Sequence, residues 1–186
     1  MSSHHIVREN QEPALLIADF NALSEEYLGQ LLEWSPTIIT NVDNLDYFLA
    51  QDIKLDILYE DMENSYQEEV KRIAIKHSFL QDSLTYLVDN NYKAVNLLVK
   101  EMDSDILHFA DKINLVVFAN GVRYAVVKSQ FEKWKAKGDI MFLEVSQLKS
   151  FVGLKYVHNN VFEVEQDGFV TLEMNTDDFV FVGEEI

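Results

Sequence analysis

The sequence predicts an α/β N-terminal domain with a mainly parallel sheet, followed by a C-terminal all-β sandwich. Three observations carry this expectation. Over residues 1–114, short apolar runs alternate with segments of helical periodicity, the pattern of βαβ units. From residue 115 onward, six or so short strands follow one another with turn glycines between them. Composition changes at the same point. Only Gly29 precedes residue 120, whereas Gly121, Gly138, Gly153, Gly168 and Gly183 all follow it. Acids outnumber bases 21 to 8 before residue 115 and 11 to 7 after it. The boundary is therefore read near Lys112–Asn114, which gives domains 1–114 and 115–186.

In the first half, Ala14-Leu15-Leu16-Ile17-Ala18 is a short apolar run fit for a buried strand. Ser24 is placed to cap a helix whose first turn holds Glu25 and Glu26, where negative charge suits the helix dipole. Leu28, Leu31 and Leu32 continue it at helical spacing, and Pro36 ends it. Thr37–Thr40 reads as a second strand, Leu45, Phe48 and Leu49 as a short helix, and Leu55–Tyr59 as a third strand. Val70, Ile73 and Ala74 are read as helical, as are Leu80, Leu84, Leu87 and Val88; Ala94–Val99 reads as a fourth strand. In the second half, Leu115–Phe118 and Val122–Val127 flank Asn120-Gly121, a hairpin signature. Strands are expected at Ile140–Val145, Val161–Val164, Phe169–Met174 and Phe179–Val182, with Asp167-Gly168 as a further turn. Phe131 and Trp134, with Lys133, Lys135 and Lys137, read as a turn of helix packing its aromatic side.

Composition excludes whole classes of function. The 186 residues carry a formal net charge of −17, so no basic stripe exists to displace the counterions of a nucleic acid, and anionic lipid is an equally poor partner. At 48% apolar and 12% aromatic the chain is not a disordered acidic tail. The absence of cysteine rules out disulfides, cysteine-ligated zinc, iron–sulfur clusters and a thiol nucleophile. No apolar run is long enough for a membrane span, and Met1–Asn10 has no apolar signal core, so a cytoplasmic protein is expected.

Chemistry is sparsely marked. Glu60-Asp61-Met62-Glu63 follows the third strand, and Asp43 and Asp46 follow the second, at the carboxyl ends where α/β sheets bind ligands. Carboxylates converging there could hold Mg²⁺, which prefers oxygen ligands; a solvated acidic loop is the plainer alternative. Neither glycine-rich phosphate motif is present. His77, His108 and His158 show no ligand spacing, and His4 and His5 sit at the extreme N-terminus.

Taken in order, several segments resemble thiamine pyrophosphokinases, in the form found among Bacteroidetes-like bacteria. They include Met1–Arg8, Pro13–Ala18, Leu28–Pro36, Ile53–Asp56, Tyr92–Asn96, Phe131–Trp134, Gly153–Tyr156 and Asp167–Val170. The resemblance implies an N-terminal α/β domain, a C-terminal β-sandwich, and a homodimer with thiamine sites at the subunit interface. It also implies pyrophosphoryl transfer from ATP to the thiamine hydroxyl with Mg²⁺.

The matching residues are scaffold; the expected chemical motifs are altered. An Asp-Gly pair after the second strand is here Asp43-Asn44. Gly-Asp-Phe/Met-Asp-Ser after the third is Glu60-Asp61-Met62-Glu63-Asn64. A Thr-Asp pair opening the next helix corresponds to Ser78-Phe79, and the Gly-x-Arg-x-Asp-His stretch to Lys100–Asp105 with a deletion. The Ser-Asn pair of the sandwich corresponds to Asn159-Asn160. Asp43, Asp56 and Asp61 remain. Losing the arginine removes a cation that offsets charge on a transferring group, and Glu60 adds charge where backbone should meet phosphate.

The expectation is thus a divergent thiamine pyrophosphokinase-like homodimer with degenerate catalytic motifs, without kinase activity and without a required cofactor, retaining a site for thiamine or another small molecule. Candidate residues are Asp43 and Asp61 for catalysis, Asn160 for substrate, and Asp61 and Glu63 for a metal. The alternatives are an active kinase using Asp43, Asp61 and Glu63 with Mg²⁺, or a non-catalytic subunit or interaction protein.

Overall fold

The computed structural model describes residues 12–60 and 70–186. In chain order the elements are β1 (Ala14–Ile17), α1 (Glu25–Leu32), β2 (Ile38–Asn41), α2 (Leu45–Ala50), β3 (Ile57–Glu60), β4 (Lys71–Ala74), α3 (Phe79–Asp89) and β5 (Ala94–Leu98). Then come β6 (Asn114–Ala119), β7 (Val122–Lys128), β8 (Gln130–Lys135), β9 (Ile140–Leu143), β10 (Leu148–Val152), β11 (Leu154–His158), β12 (Val161–Val164), β13 (Gly168–Met174) and β14 (Phe179–Glu185). Short 3₁₀ turns at Phe20–Ala22, Val42–Asn44, Ser104–Phe109 and Val145–Gln147 fill four of the connections.

One mixed sheet of eleven strands organises the described residues, in the order β11-β12-β9-β14-β7-β6-β5-β1-β2-β3-β4; β10, β13 and β8 form a second, three-stranded sheet. From β6 to β4 every pairing is parallel, and from β7 to β11 every pairing is antiparallel. Because β6 pairs with both β5 and β7, hydrogen bonding runs unbroken across residue 114.

The parallel strands are short apolar runs buried on both faces, as βαβ cover requires. Leu15, Ile17, Ile38, Leu58 and Phe118 pack on the side of α1 and α2, where Phe48 and Leu28 are buried. Leu16, Ile39, Tyr59, Leu97 and Val117 face the other way, toward Leu84 and Leu87 of α3. Ser24 and Ser78 cap α1 and α3 through their hydroxyls, which accept from the Tyr27 and Gln81 N–H groups at 3.3 and 3.2 Å. A third core lies between the two sheets, with Met141, Leu143, Phe162, Val180 and Val182 from the large one against Val170, Leu172 and Phe131 from the small one.

Two stretches expected to be helical are strands. Val70–Ala74 contributes β4, the edge of the large sheet. With one neighbour and little burial, it lacks the two-residue alternation that identifies a strand. Phe131–Trp134 lies in β8, where Phe131, Lys133 and Lys135 point inward and Trp134 outward, 54% exposed. Inward lysines and an outward tryptophan invert the usual strand pattern; their reason is the buried carboxylate of Glu184. Strands β10 and β11 had no counterpart among the expected elements. Gly153 joins them at φ +83°, and a Cβ there would meet the Phe169 carbonyl oxygen at 3.2 Å. The chain thus steps from the small sheet to the large one at a residue that must be small.

Candidate functional site

Two places can do chemistry: the carboxyl edge of the parallel strands and an aromatic hollow on the antiparallel half.

At the carboxyl edge, the 3₁₀ turn after β2 places Asp43 in the open, where its carboxylate accepts from Asn41 Nδ2 at 3.1 Å. Asn44 Nδ2 donates to Asn41 Oδ1 at 2.7 Å and to the Ala18 carbonyl at 3.2 Å. Thr40 Oγ1 donates to the Ile17 carbonyl at 2.8 Å. These polar side chains therefore tie the ends of β1 and β2 to each other. Glu60 closes β3, is buried, and pairs with Arg72 of β4 at 3.4 Å. Asp56 lies at the opposite end of the sheet, accepting from the Ile38 N–H at 3.0 Å and pairing with Lys54 at 2.7 Å. It anchors the start of β2 and cannot join Asp43 in one site. Asp61 and Glu63 lie outside the described residues.

Further along this edge, Ser78 caps α3, and Phe79 packs edge-on against Tyr59 with ring centroids 5.7 Å apart. The Asp82 carboxylate accepts from the Lys76 and His77 N–H groups at 2.6 and 3.0 Å and meets His77 Nδ1 at 2.9 Å. Desolvation acts to raise its pKa, but the two backbone donors and His77 outweigh it and hold the carboxyl below its usual range. Burial pushes the Tyr59 phenol up to about 12, and its hydroxyl donates to the Asp82 carbonyl at 3.2 Å. A cavity of about 280 Å³ beside α3 is walled by Leu84, Ile106, Ser78, Asp103, Asp105 and His108. Its charged walls are carboxylates, the wrong sign for a triphosphate.

The Mg²⁺ set expected of an active kinase includes Asp61 and Glu63, so the described residues hold only part of it. Asp43 is engaged by Asn41, Asp56 is remote, and among the described residues no three metal-ligating side chains converge.

On the antiparallel half, the three-stranded sheet covers one face of the large sheet. The other face carries Tyr124 and Val126 of β7, Phe142 of β9 and Phe181 of β14, all half-buried. Tyr124 and Phe181 meet edge-to-face at 6.2 Å, and burial raises the Tyr124 phenol's pKa. Opposite Tyr124 lies Gly183, where a Cβ would come within 2.7 Å of the Tyr124 ring and 2.9 Å of Phe142 Cβ. The absent side chain is what lets the ring lie down. The hollow, about 270 Å³, is completed by Glu144, Gln147 and Asn160.

Asn160, the residue the resemblance put forward for substrate, lines this hollow beside the aromatic rings. Asn159 and Asn160 form the two-residue turn between β11 and β12, with φ of 43° and 67°, a left-handed pair that asparagine tolerates. The Asn160 side chain donates to Glu144 Oε2 at 2.7 Å and accepts from the Val145 N–H at 3.3 Å. Tyr124, Phe142, Phe181 and Glu144 were not among the expected site residues. A readable signal existed: Val122–Val127 apart from Arg123, all of β9, and Phe179–Val182 are apolar on both faces, so both faces seek cover.

Solved structures identify this arrangement. It has the fold of the thiamine pyrophosphokinases. The Bacillus subtilis thiamine pyrophosphokinase superposes with a TM-score of 0.64 at 10% identity, covering 93% of this chain and 98% of that one. Yeast thiamin pyrophosphokinase gives 0.68 at 11% identity over 97% and 88% of the two chains, and the Candida albicans enzyme 0.61 at 12% over 94% and 90%. No protein-family model matches the chain, and no curated protein matches it by sequence. Among the described residues no helix is long and apolar enough to cross a membrane.

Proposed function

We propose that this is a thiamine pyrophosphokinase-like protein that has lost the kinase reaction, a pseudoenzyme, and that it binds thiamine or a related small molecule in the aromatic hollow. The observation that carries this reading is the contrast between the two places. The hollow has aromatic rings, a hydrogen-bonding asparagine and a carboxylate. The carboxyl edge has Asn41, Asp43 and Asn44 bonded among themselves, Glu60 neutralised by Arg72, and an acidic cavity wall. Phosphoryl transfer depends on positioned charge compensation, which that arrangement opposes.

In this reading, residues 1–114 are a scaffold derived from a catalytic half, and residues 115–186 form the ligand-binding and dimerising half. The chain works in the cytoplasm as a homodimer, with the half-covered face at Tyr124, Val126, Phe142 and Phe181 closed by the second copy. Half-buried apolar side chains there, three of them packed at one margin against the core beside α3, support that pairing.

Calorimetric titration with thiamine and a coupled assay of thiamine diphosphate formation test the proposal together. Binding without turnover is the expected result. Turnover at ordinary kinase rates, abolished by Asp61→Ala, would refute the loss of catalysis and favour a rebuilt Mg²⁺ site at Asp43, Asp61 and Glu63. Failure to bind thiamine at millimolar concentration would refute the ligand site.

A further inference from the structure

We propose that Glu144 is a specificity-determining residue of the aromatic hollow, selecting flat organic cations over neutral and anionic molecules of the same shape. The inference rests on the ligand-binding reading above and adds to it a residue and a rule of selection.

Glu144 follows β9 and precedes the 3₁₀ turn Val145–Gln147. Its Oε2 accepts from Asn160 Nδ2 at 2.7 Å and its Oε1 from Ser146 Oγ at 3.1 Å. The loop is fixed from the other side as well. The Asn160 carbonyl accepts from the Leu143 N–H at 2.9 Å, and Asn160 Oδ1 accepts from the Val145 N–H at 3.3 Å. One asparagine therefore clamps both the backbone around Glu144 and its side chain.

Each carboxylate oxygen takes one donor and keeps acceptor capacity, while the charge is fixed before any ligand arrives. The cation Lys155, two strands away on β11, registers opposite Glu163, and among the described residues no Lys or Arg lines the hollow. The carboxylate charge is therefore free for a guest.

The remaining walls suit the same guest. Tyr124, Phe142 and Phe181 offer aromatic rings, whose negative faces attract cations. Rings alone would accept any flat molecule; rings beside a fixed carboxylate favour the positively charged one and disfavour an anion through like-charge repulsion. The acidic surface gains a role in this account. A net charge of −17 raises the local concentration of cations and speeds their arrival.

The test uses three probes of one shape and three charges: 1-methylnicotinamide, a cation; nicotinamide, neutral; and nicotinate, an anion. Affinities are measured by calorimetry on the full chain, for wild type and for Glu144→Gln, which keeps an oxygen for Asn160 Nδ2. Because Glu144 is exposed, wild type is expected to bind the cation about three- to five-fold more tightly than the neutral probe, and the anion worst, with the preference shrinking at high salt. Glu144→Gln is expected to bring the cation-to-neutral ratio close to one while leaving affinity for nicotinamide within about two-fold. A merely structural role would weaken both probes alike and preserve their ratio. Thiamine binding to wild type combined with an unchanged ratio in Glu144→Gln would overturn this inference and leave the ligand site standing. No binding of thiamine or any probe would overturn the ligand site and this inference with it.

Discussion

Replacing Glu184 by glutamine should loosen the joint between the two sheets. Glu184 is 4% exposed, on β14, and three cations converge on it. Lys133 Nζ lies 2.6 Å from Oε2, Lys135 Nζ lies 3.6 Å from the same oxygen, and Arg123 Nη1 lies 3.8 Å from Oε1. The two lysines come from the small sheet and the other two residues from the large one, so the cluster bridges the layers. Removing one partner of a fully buried ion pair costs about 3–5 kcal/mol. Here the side chains of Lys133 and Arg123 are 43% and 34% exposed, and Lys135 keeps Asp139 at 3.2 Å. Solvent and that second carboxylate relieve the orphaned cations, which brings the expected loss to about 2–3 kcal/mol. For a chain of this length that is a fall in Tm of about 5–10 °C.

Urea unfolding followed by far-ultraviolet circular dichroism gives the free energy directly, with an unchanged slope confirming that stability alone moved. The double variant Glu184→Leu with Lys133→Met should recover much of the loss, since apolar residues of similar volume replace buried ion pairs at little cost. A loss below about 0.5 kcal/mol in Glu184→Gln would refute the claim that this carboxylate organises the inward lysines.

Three further outcomes follow from the same geometry. Gly183→Ala should displace the Tyr124 ring, costing about 1–3 kcal/mol by urea unfolding and weakening thiamine binding in the same preparation. Asp82→Asn should lose about 1–2 kcal/mol at pH 7, where wild type has the charged acceptor for Lys76 and His77. Because the folded carboxyl sits low, that advantage is fully present above the unfolded value of about 3.9 and fades as pH falls through the folded one; a difference that persisted at pH 2 would contradict the assignment. In an ultraviolet pH titration, one tyrosine should resist ionisation until about pH 12, and Tyr59→Phe should remove that late step. The raised phenol contributes stability below the unfolded value of about 10 that is lost as pH climbs through 12.

The parallel strands were legible because their signal is burial itself. Ala14–Ile17 and Ala94–Leu98 are apolar on both faces and could be little else. The serine caps and the Asn120-Gly121 turn, at φ 51° and 74°, were equally local and equally readable. What escaped the sequence depended on distant residues. Lys133 and Lys135 face inward because Glu184 stands some fifty residues on, and no window of a dozen residues holds that fact.

The candidate site divides the same way. Asp43 was placed at the carboxyl edge by its position after β2. Asp56 was grouped with it although it precedes β3, and the direction of the strand sends it to the opposite end. Asn160 entered only through the resemblance, and its partner Glu144, sixteen positions away, was missed because a turn and a strand end meet there in space alone.

Among the described residues, β4 and β11 bound the eleven-stranded sheet, and both carry basic side chains. Lys71 and Arg72 lie on one, Lys155 and His158 on the other. In a chain with so few bases, that placement discourages another molecule from zipping its backbone onto either border, since like charges would be brought together along the seam. Any self-association is thereby steered broadside, toward the sheet's half-buried aromatic surface, and away from open-ended growth into fibres.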